Sequence, residues 1–215
     1  MSDFDPSPLE PPRLAVFDMD GTLVDSQHMI VAAMAEAFNA LGLAPPSPAR
    51  TRRVVGLSLG AAIASLAPGL GADQLARLEG GYRDAFFALR EAGEVAEVPF
   101  EGALDALDAL AGAGWMLGIA TGKSARGLHA TLDRFGLGGR FVTLQTADTA
   151  PGKPAPDMLL RAMAEAGARA GATVMIGDTS FDMEMARNAR VAGIGVDWGY
   201  HDAHELMAAG ARQVV

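Results

Sequence analysis

The chain has 215 residues, half of them apolar, enough for one large core or for a core with a small accessory domain. A net charge of −9 argues against a general basic face for nucleic acid or an anionic membrane surface, and the absence of cysteine excludes disulfides, thiolate metal sites and cysteine nucleophiles. No stretch is long and apolar enough to span a bilayer, so a cytoplasmic protein with neither membrane nor nucleic-acid partners is expected.

Residues 1–12 carry acids and prolines where a secretory signal would start basic and continue apolar, and they read as a flexible leader. The first predicted strand, Leu14–Phe17, leads straight into Asp18-Met19-Asp20-Gly21-Thr22, with Asp25 close behind. Side chains two apart on an extended chain lie on one side, so Asp18 and Asp20 share a space. A carboxylate there can attack phosphorus and form an acyl phosphate. Its neighbour can protonate the departing oxygen and later deprotonate a water. Like charges this close push one pKa up, which suits a proton donor. Gly21 and Thr22 allow a tight turn whose amides could reach phosphoryl oxygens. The Asp-x-Asp element alone reads equally well as a strand-end turn capped by acids; the longer string to Ser26 favours chemistry.

From Asp25 to about Val98 the pattern is helical, with no convincing strand. Met29, Ile30, Ala33, Met34, Ala37, Phe38 and Leu41 form one apolar stripe at helical spacing; Leu75, Leu78, Tyr82, Phe86 and Leu89 form another. Ser47 and Pro48 read as an N-cap and first helical residue. The interval far exceeds the dozen or so residues that an ordinary crossover needs, so residues 25–98 are expected to be an inserted helical domain, and residues 13–24 and 99–215 the core. Within the insertion, Arg52 and Arg53 precede a Gly turn. Arg53 could clamp a substrate carboxylate or second phosphate, or belong to a solvated face.

Strands are then expected near Met116–Ala120, Phe141–Leu144, Val174–Ile176 and Ile194–Val196, alternating with helices over Ala103–Ala111, Ser124–Phe135, Pro156–Ala166 and Phe181–Ala189. This alternation predicts an α/β fold, a doubly wound, mostly parallel, Rossmann-like sheet covered on both faces, with ligands beyond the carboxyl ends of its strands. Thr121 and Gly122 follow one such strand and could hold a phosphoryl oxygen, although Thr-Gly is also ordinary turn chemistry. The "TGKS" string is not a nucleotide phosphate loop, because Leu117 stands where that loop requires glycine. Lys123 is expected to be a solvated residue at a helix start. Lys153, among Pro151, Pro154 and Pro156, is a stiffly presented point charge suited to a phosphoryl group, or an exposed loop lysine. Asp178 and Asp182, four apart after a strand, offer hard oxygens for Mg²⁺, or else an N-cap and a surface acid. "HDAHE", His201–Glu205, reads as helix-start polarity rather than a metal site.

Together these stretches supply a nucleophile, an acid/base, an oxyanion contact, a cation and a metal site, the inventory of phosphoryl transfer. The same stretches resemble the four motifs of the haloacid dehalogenase superfamily: Asp18–Thr22, Thr121, Lys153, and Gly177-Asp178 with Asp182. The insertion, with "VPFEGALDAL", "GKPAPD" and "GDTSFDMEMARNARVAG", is similar to the phosphoglycolate phosphatase subgroup with its helical cap. The resemblance implies that Asp18 is the nucleophile and a Mg²⁺ ligand, and that Asp20 is the acid/base and lends its carbonyl to the metal. It also implies that Thr121 and Gly122 bind phosphate, that Lys153 steadies phosphate and nucleophile, that Asp178 ligates Mg²⁺, and that Asp182 supports the metal site, directly or through water. The expected activity is hydrolysis of a small phosphorylated metabolite by a monomer or homodimer. A phosphosugar mutase of similar build and a non-catalytic phosphate-binding protein are the alternatives, and the intact Asp18–Asp20 pair speaks against the last.

Overall fold

The computed structural model describes residues 11–93 and 97–215, so most of the expected leader lies outside the described residues. In chain order, β1 (Leu14–Phe17) is followed by β2 (Val24–Asp25) and four helices, α1 (Gln27–Ala40), α2 (Pro48–Arg52), α3 (Leu59–Leu66) and α4 (Ala72–Ala92). Then come β3 (Val98–Pro99), α5 (Ala103–Gly112), β4 (Met116–Thr121), α6 (Ala125–Arg134), β5 (Thr143–Thr146), α7 (Asp157–Ala166), β6 (Thr173–Gly177), α8 (Ser180–Asn188), β7 (Ala192–Gly195), α9 (Ala203–Ala209) and β8 (Ala211–Val214).

Six strands form a wholly parallel sheet in the order β5-β4-β1-β6-β7-β8. From β1 the chain builds outward on one side through β4 and β5, then returns to β6 on the other. The order reverses at β1, which places a crevice at the carboxyl ends of β1, β4 and β6. Alternation on β1 splits the core. Leu14 and Val16 pack with Met158, Leu159, Met175 and Met185, whereas Ala15 and Phe17 pack with Leu107, Leu117, Ile119 and Leu128. Helices α7 and α8 therefore cover one face, and α5 and α6 the other. The sheet is buried on both sides, as parallel sheets require.

The helical interval matches its apolar pattern closely. Met29, Ile30, Ala33, Met34, Ala37 and Phe38 of α1 are all buried, against Leu78, Ala85 and Phe86 of α4. Ser47 caps α2 by accepting from the Arg50 amide at 3.3 Å, with Pro48 in the first turn. One feature differs from expectation. Asp25 and Val98 are not helical boundaries but belong to β2 and β3, which pair antiparallel as a two-residue ribbon closing both ends of the insertion. Two residues are too few to show any period in a sequence. β5 also starts two residues later than expected, and β8, an edge strand with two exposed polar residues, gave no apolar signal.

Ile119 lies fully buried on β4, between β1 and the α5–α6 layer. Ile119→Ala should destabilise the fold by about 2–5 kcal/mol through lost burial and the cavity left behind, read as a lower midpoint at unchanged slope in urea unfolding.

Candidate active site

The switch point fills with charge because each neighbouring element ends there. Asp18 leaves β1, and its Oδ1 accepts from the Met19 amide at 2.7 Å. Asp178 leaves β6; its Oδ1 accepts from the Thr22 hydroxyl at 2.8 Å and its Oδ2 from the Tyr200 amide at 3.0 Å. Gly21 carries φ +87°, and a side chain there would collide with the Asp178 carboxylate, so the turn demands glycine twice over. Asp182 sits in the first turn of α8. The N-cap is Thr179 rather than Asp178, and Asp182 Oδ2 accepts from the Thr179 amide at 3.1 Å and its hydroxyl at 2.7 Å.

Lys153 joins these groups. Its Nζ lies 2.7 Å from Asp18 Oδ2 and 2.7 Å from Asp182 Oδ1, with all three side chains almost wholly buried. It is therefore not an exposed loop lysine. Burial pulls its pKa down, but Asp18 and Asp182 outweigh that and hold it above the ordinary lysine value. Burial pushes the Asp18 carboxyl up to about 7; Lys153 lowers it and the Asp182 charge raises it further. Burial, then the charges of Asp18 and Asp182, also hold Asp178 well above the usual carboxylate range. One oxygen from each of Asp18, Asp178 and Asp182 lies within 4.8 Å of the others. Three buried carboxylates against one ammonium leave two negative charges unmatched, a donor set of hard oxygens that fits a divalent cation.

A second cluster lies beside the first. Asp20 Oδ1 accepts from the Ser26 hydroxyl and lies 2.7 Å from Lys123 Nζ. This corrects the expectation for Lys123. Only 9% of its side chain is exposed, and its ammonium lies over the Phe86 ring and 3.7 Å from Glu97 Oε1. The reason is local. The Lys123 amide donates to Thr121 Oγ1 at 3.2 Å, and α6 is capped one residue later by Ser124, so Lys123 precedes the helix and folds back over the strand end. Glu97, fully buried, also receives Arg90 of α4, whose Nη2 reaches Thr131 of α6 at 3.1 Å. No sequence signal distinguished Arg90 and Glu97 from surface charges.

A cavity of about 260 Å³ opens between these strand ends and the helical insertion. Asp18, Asp20, Thr121 and Gly122 line its floor, and residues of α1, α4 and the segment 54–60 line its roof. A Cβ on Gly122 would collide with the Leu57 carbonyl oxygen, so floor and roof meet there at bare backbone. Gly21 and Thr22 are not in the lining; they serve Asp178 instead. Arg53 is not in the lining either. Its guanidinium grips Glu205 with both nitrogens, at 2.5 and 2.6 Å, and draws that carboxyl down to about 2. Of the two expectations for Arg53, clamp or solvated face, the structure shows a half-exposed guanidinium that ties the insertion to the core. His201 adds to the tie: Nδ1 accepts from the Ser180 amide at 3.1 Å, and Nε2 lies 3.3 Å from the Arg53 carbonyl. Burial, then the Arg53 charge, lowers its pKa, which suits the neutral ring that this pattern needs. Asp202 and Glu205 form the capping box of α9, as helix-start polarity predicts. Tyr200, whose amide reaches Asp178, carries no motif signal, although its place after β7 puts it at the same end of the sheet.

Residues 15–196 match the haloacid dehalogenase-like hydrolase family. The protein named "Probable phosphatase IndB" of Dickeya dadantii is 34% identical over 203 residues, covering 94% of this chain and 88% of its own. A phosphoglycolate phosphatase of Agrobacterium fabrum is 33% identical over 198 residues, covering 91% and 84%. The crystal structure of a hydrolase from Pseudomonas syringae superposes with a TM-score of 0.84 at 31% identity, over 94% of this chain and 92% of that one. With the family matched along nearly the whole sheet and its acids gathered at the switch point, the chain belongs to the haloacid dehalogenase-like hydrolases, as one of their phosphatases.

Proposed function

We propose that the protein is a cytoplasmic, Mg²⁺-dependent phosphatase that hydrolyses a small phosphorylated metabolite through a phosphorylated Asp18. The observation that carries this reading is the separation of two carboxylates on one cavity floor, Asp18 paired with Lys153 and Asp20 paired with Lys123. Asp18 attacks phosphorus, a P–O bond forms to its carboxylate, and the bond to the leaving oxygen breaks. Asp20 gives that oxygen a proton. It then takes a proton from the water that attacks the same phosphorus, and Asp18 departs as a carboxylate. Thr121 and Gly122 line the floor where the transferred group would sit, and Lys153 favours the ionised form of Asp18 against its burial and holds it in place. Asp18, Asp178 and Asp182, with the Asp20 carbonyl, would hold Mg²⁺, which neutralises phosphoryl charge when bound.

Asp18→Asn should abolish phosphate release, by roughly 10³-fold or more, with circular dichroism unchanged; a variant that still turned over would refute the nucleophile. Asp20→Asn should slow esters of poor leaving alcohols by about 10²–10⁴-fold and nitrophenyl phosphate less, since a good leaving group needs no proton. Equal loss on both would remove Asp20 from that role. Assays with hexose 1-phosphates separate this reading from the mutase, which would yield an isomer instead of free phosphate.

The raised Asp18 pKa predicts a stability signature without metal. Burial lets the folded state keep a proton on Asp18 up to about pH 7, whereas the unfolded chain loses it near the ordinary value of 3.8. Stability from this group is present at low pH and is lost as pH rises through that window. In EDTA, wild type should melt progressively lower than Asp18→Asn between about pH 5 and pH 8, by roughly 5 °C at the upper end, and Mg²⁺ should reverse the difference. Parallel melting curves across that range would contradict the assigned burial cost.

A further inference from the structure

The roof of the cavity differs from its floor. Above Asp18 and Asp20 the insertion presents Val54, Val55, Leu57, Tyr82, Phe86 and Phe87. Burial, more than the nearby acids, holds the Tyr82 phenol above its ordinary value, so it stays neutral. Among the described residues, the cations lining the cavity are Lys123 and Arg83. Both are already matched. Lys123 is bound to Asp20 and lies near Glu97, and Arg83 of α4 pairs with Glu79 one turn earlier at 3.0 Å, half exposed at the rim. The remaining lining acid, Asp148, accepts from the Ala125 amide at 2.7 Å. An anionic tail on the substrate would thus lose its water, meet no unmatched positive charge and face acids at the rim. Arg53 lies outside the lining and is held by Glu205.

We infer that the leaving-group side of this cavity takes an uncharged, apolar alcohol about the size of one ring, so that the substrate class is a phosphate monoester of an apolar alcohol rather than of a hydroxy acid. This rests on the phosphatase reading and narrows it. The volume agrees. A dry cavity of about 150 Å³ holds benzene, and the remainder of this one leaves room for the phosphoryl group over Asp18. Aromatic and aliphatic walls would favour a ring by burial and by edge or offset contacts with Tyr82 and Phe86, themselves tilted against one another at 5.9 Å.

Two non-hydrolysable phosphonates test binding without turnover. In calorimetric titration with Mg²⁺ present, benzylphosphonate should bind at least about tenfold more tightly than phosphonoacetate; equal or reversed affinity would overturn the inference. In turnover, benzyl phosphate and phosphoglycolate both have alkoxide leaving groups, and kcat/KM should favour the benzyl ester by a similar factor, chiefly through KM. Phe87→Ala should reduce that preference severalfold. Arg83→Gln should leave the benzyl-over-glycolate preference in place, and a tenfold loss confined to phosphoglycolate would identify Arg83 as a carboxylate clamp and reject the apolar reading. If benzylphosphonate binds preferentially while neither ester releases phosphate, the hydrolytic function fails and the shape of the site stands.

Discussion

The site depends on one buried ammonium held between two carboxylates. Lys153 lies 2.7 Å from both Asp18 and Asp182, and the remaining geometry follows from keeping that arrangement in place. Each buried ion costs several kcal/mol of desolvation, and one cation cannot balance three acids. The fold accepts this deficit where β1, β6 and α8 end together, because amides and hydroxyls from Met19, Thr22, Thr179 and Tyr200 share the load. An apolar replacement would make a more stable protein and an inert one.

The second ammonium has a different task. Lys123 holds Asp20, and through Glu97 it is joined to Arg90 on the longest helix of the insertion. This cluster is neutral, two acids against two cations, where the first carries surplus negative charge. On the proposed mechanism, the contrast separates the group that would bind a cation from the one that would carry a proton. It also means that Glu97, beside β3 where the chain re-enters the core, is linked by charge through Lys123 to Asp20.

Much of this was legible in the sequence. The parallel sheet followed from apolar runs alternating with helical stripes, and the buried faces of α1 and α4 fell where their spacing put them. Asp18, Asp178, Asp182 and Lys153 converge because strand-end position is itself a spatial statement in a parallel sheet. Short elements and charges with remote partners were not legible. The β2–β3 ribbon is two residues deep, and β8 is an edge strand with exposed Arg212 and Gln213. The partners of Arg53 and Lys123 were not legible for one reason. The partner that decides a cation's role, Glu205 for one and Asp20 for the other, is set by tertiary approach, and adjacent residues say nothing about it.

Gly122 has a mechanical meaning apart from any bond it makes. At that point the catalytic floor and the Leu57 backbone above it are separated by less than a methyl group requires. The clearance of the chamber is therefore set by a single hydrogen atom. Any larger substituent would act as a wedge, forcing the Leu57 backbone away from the strand end.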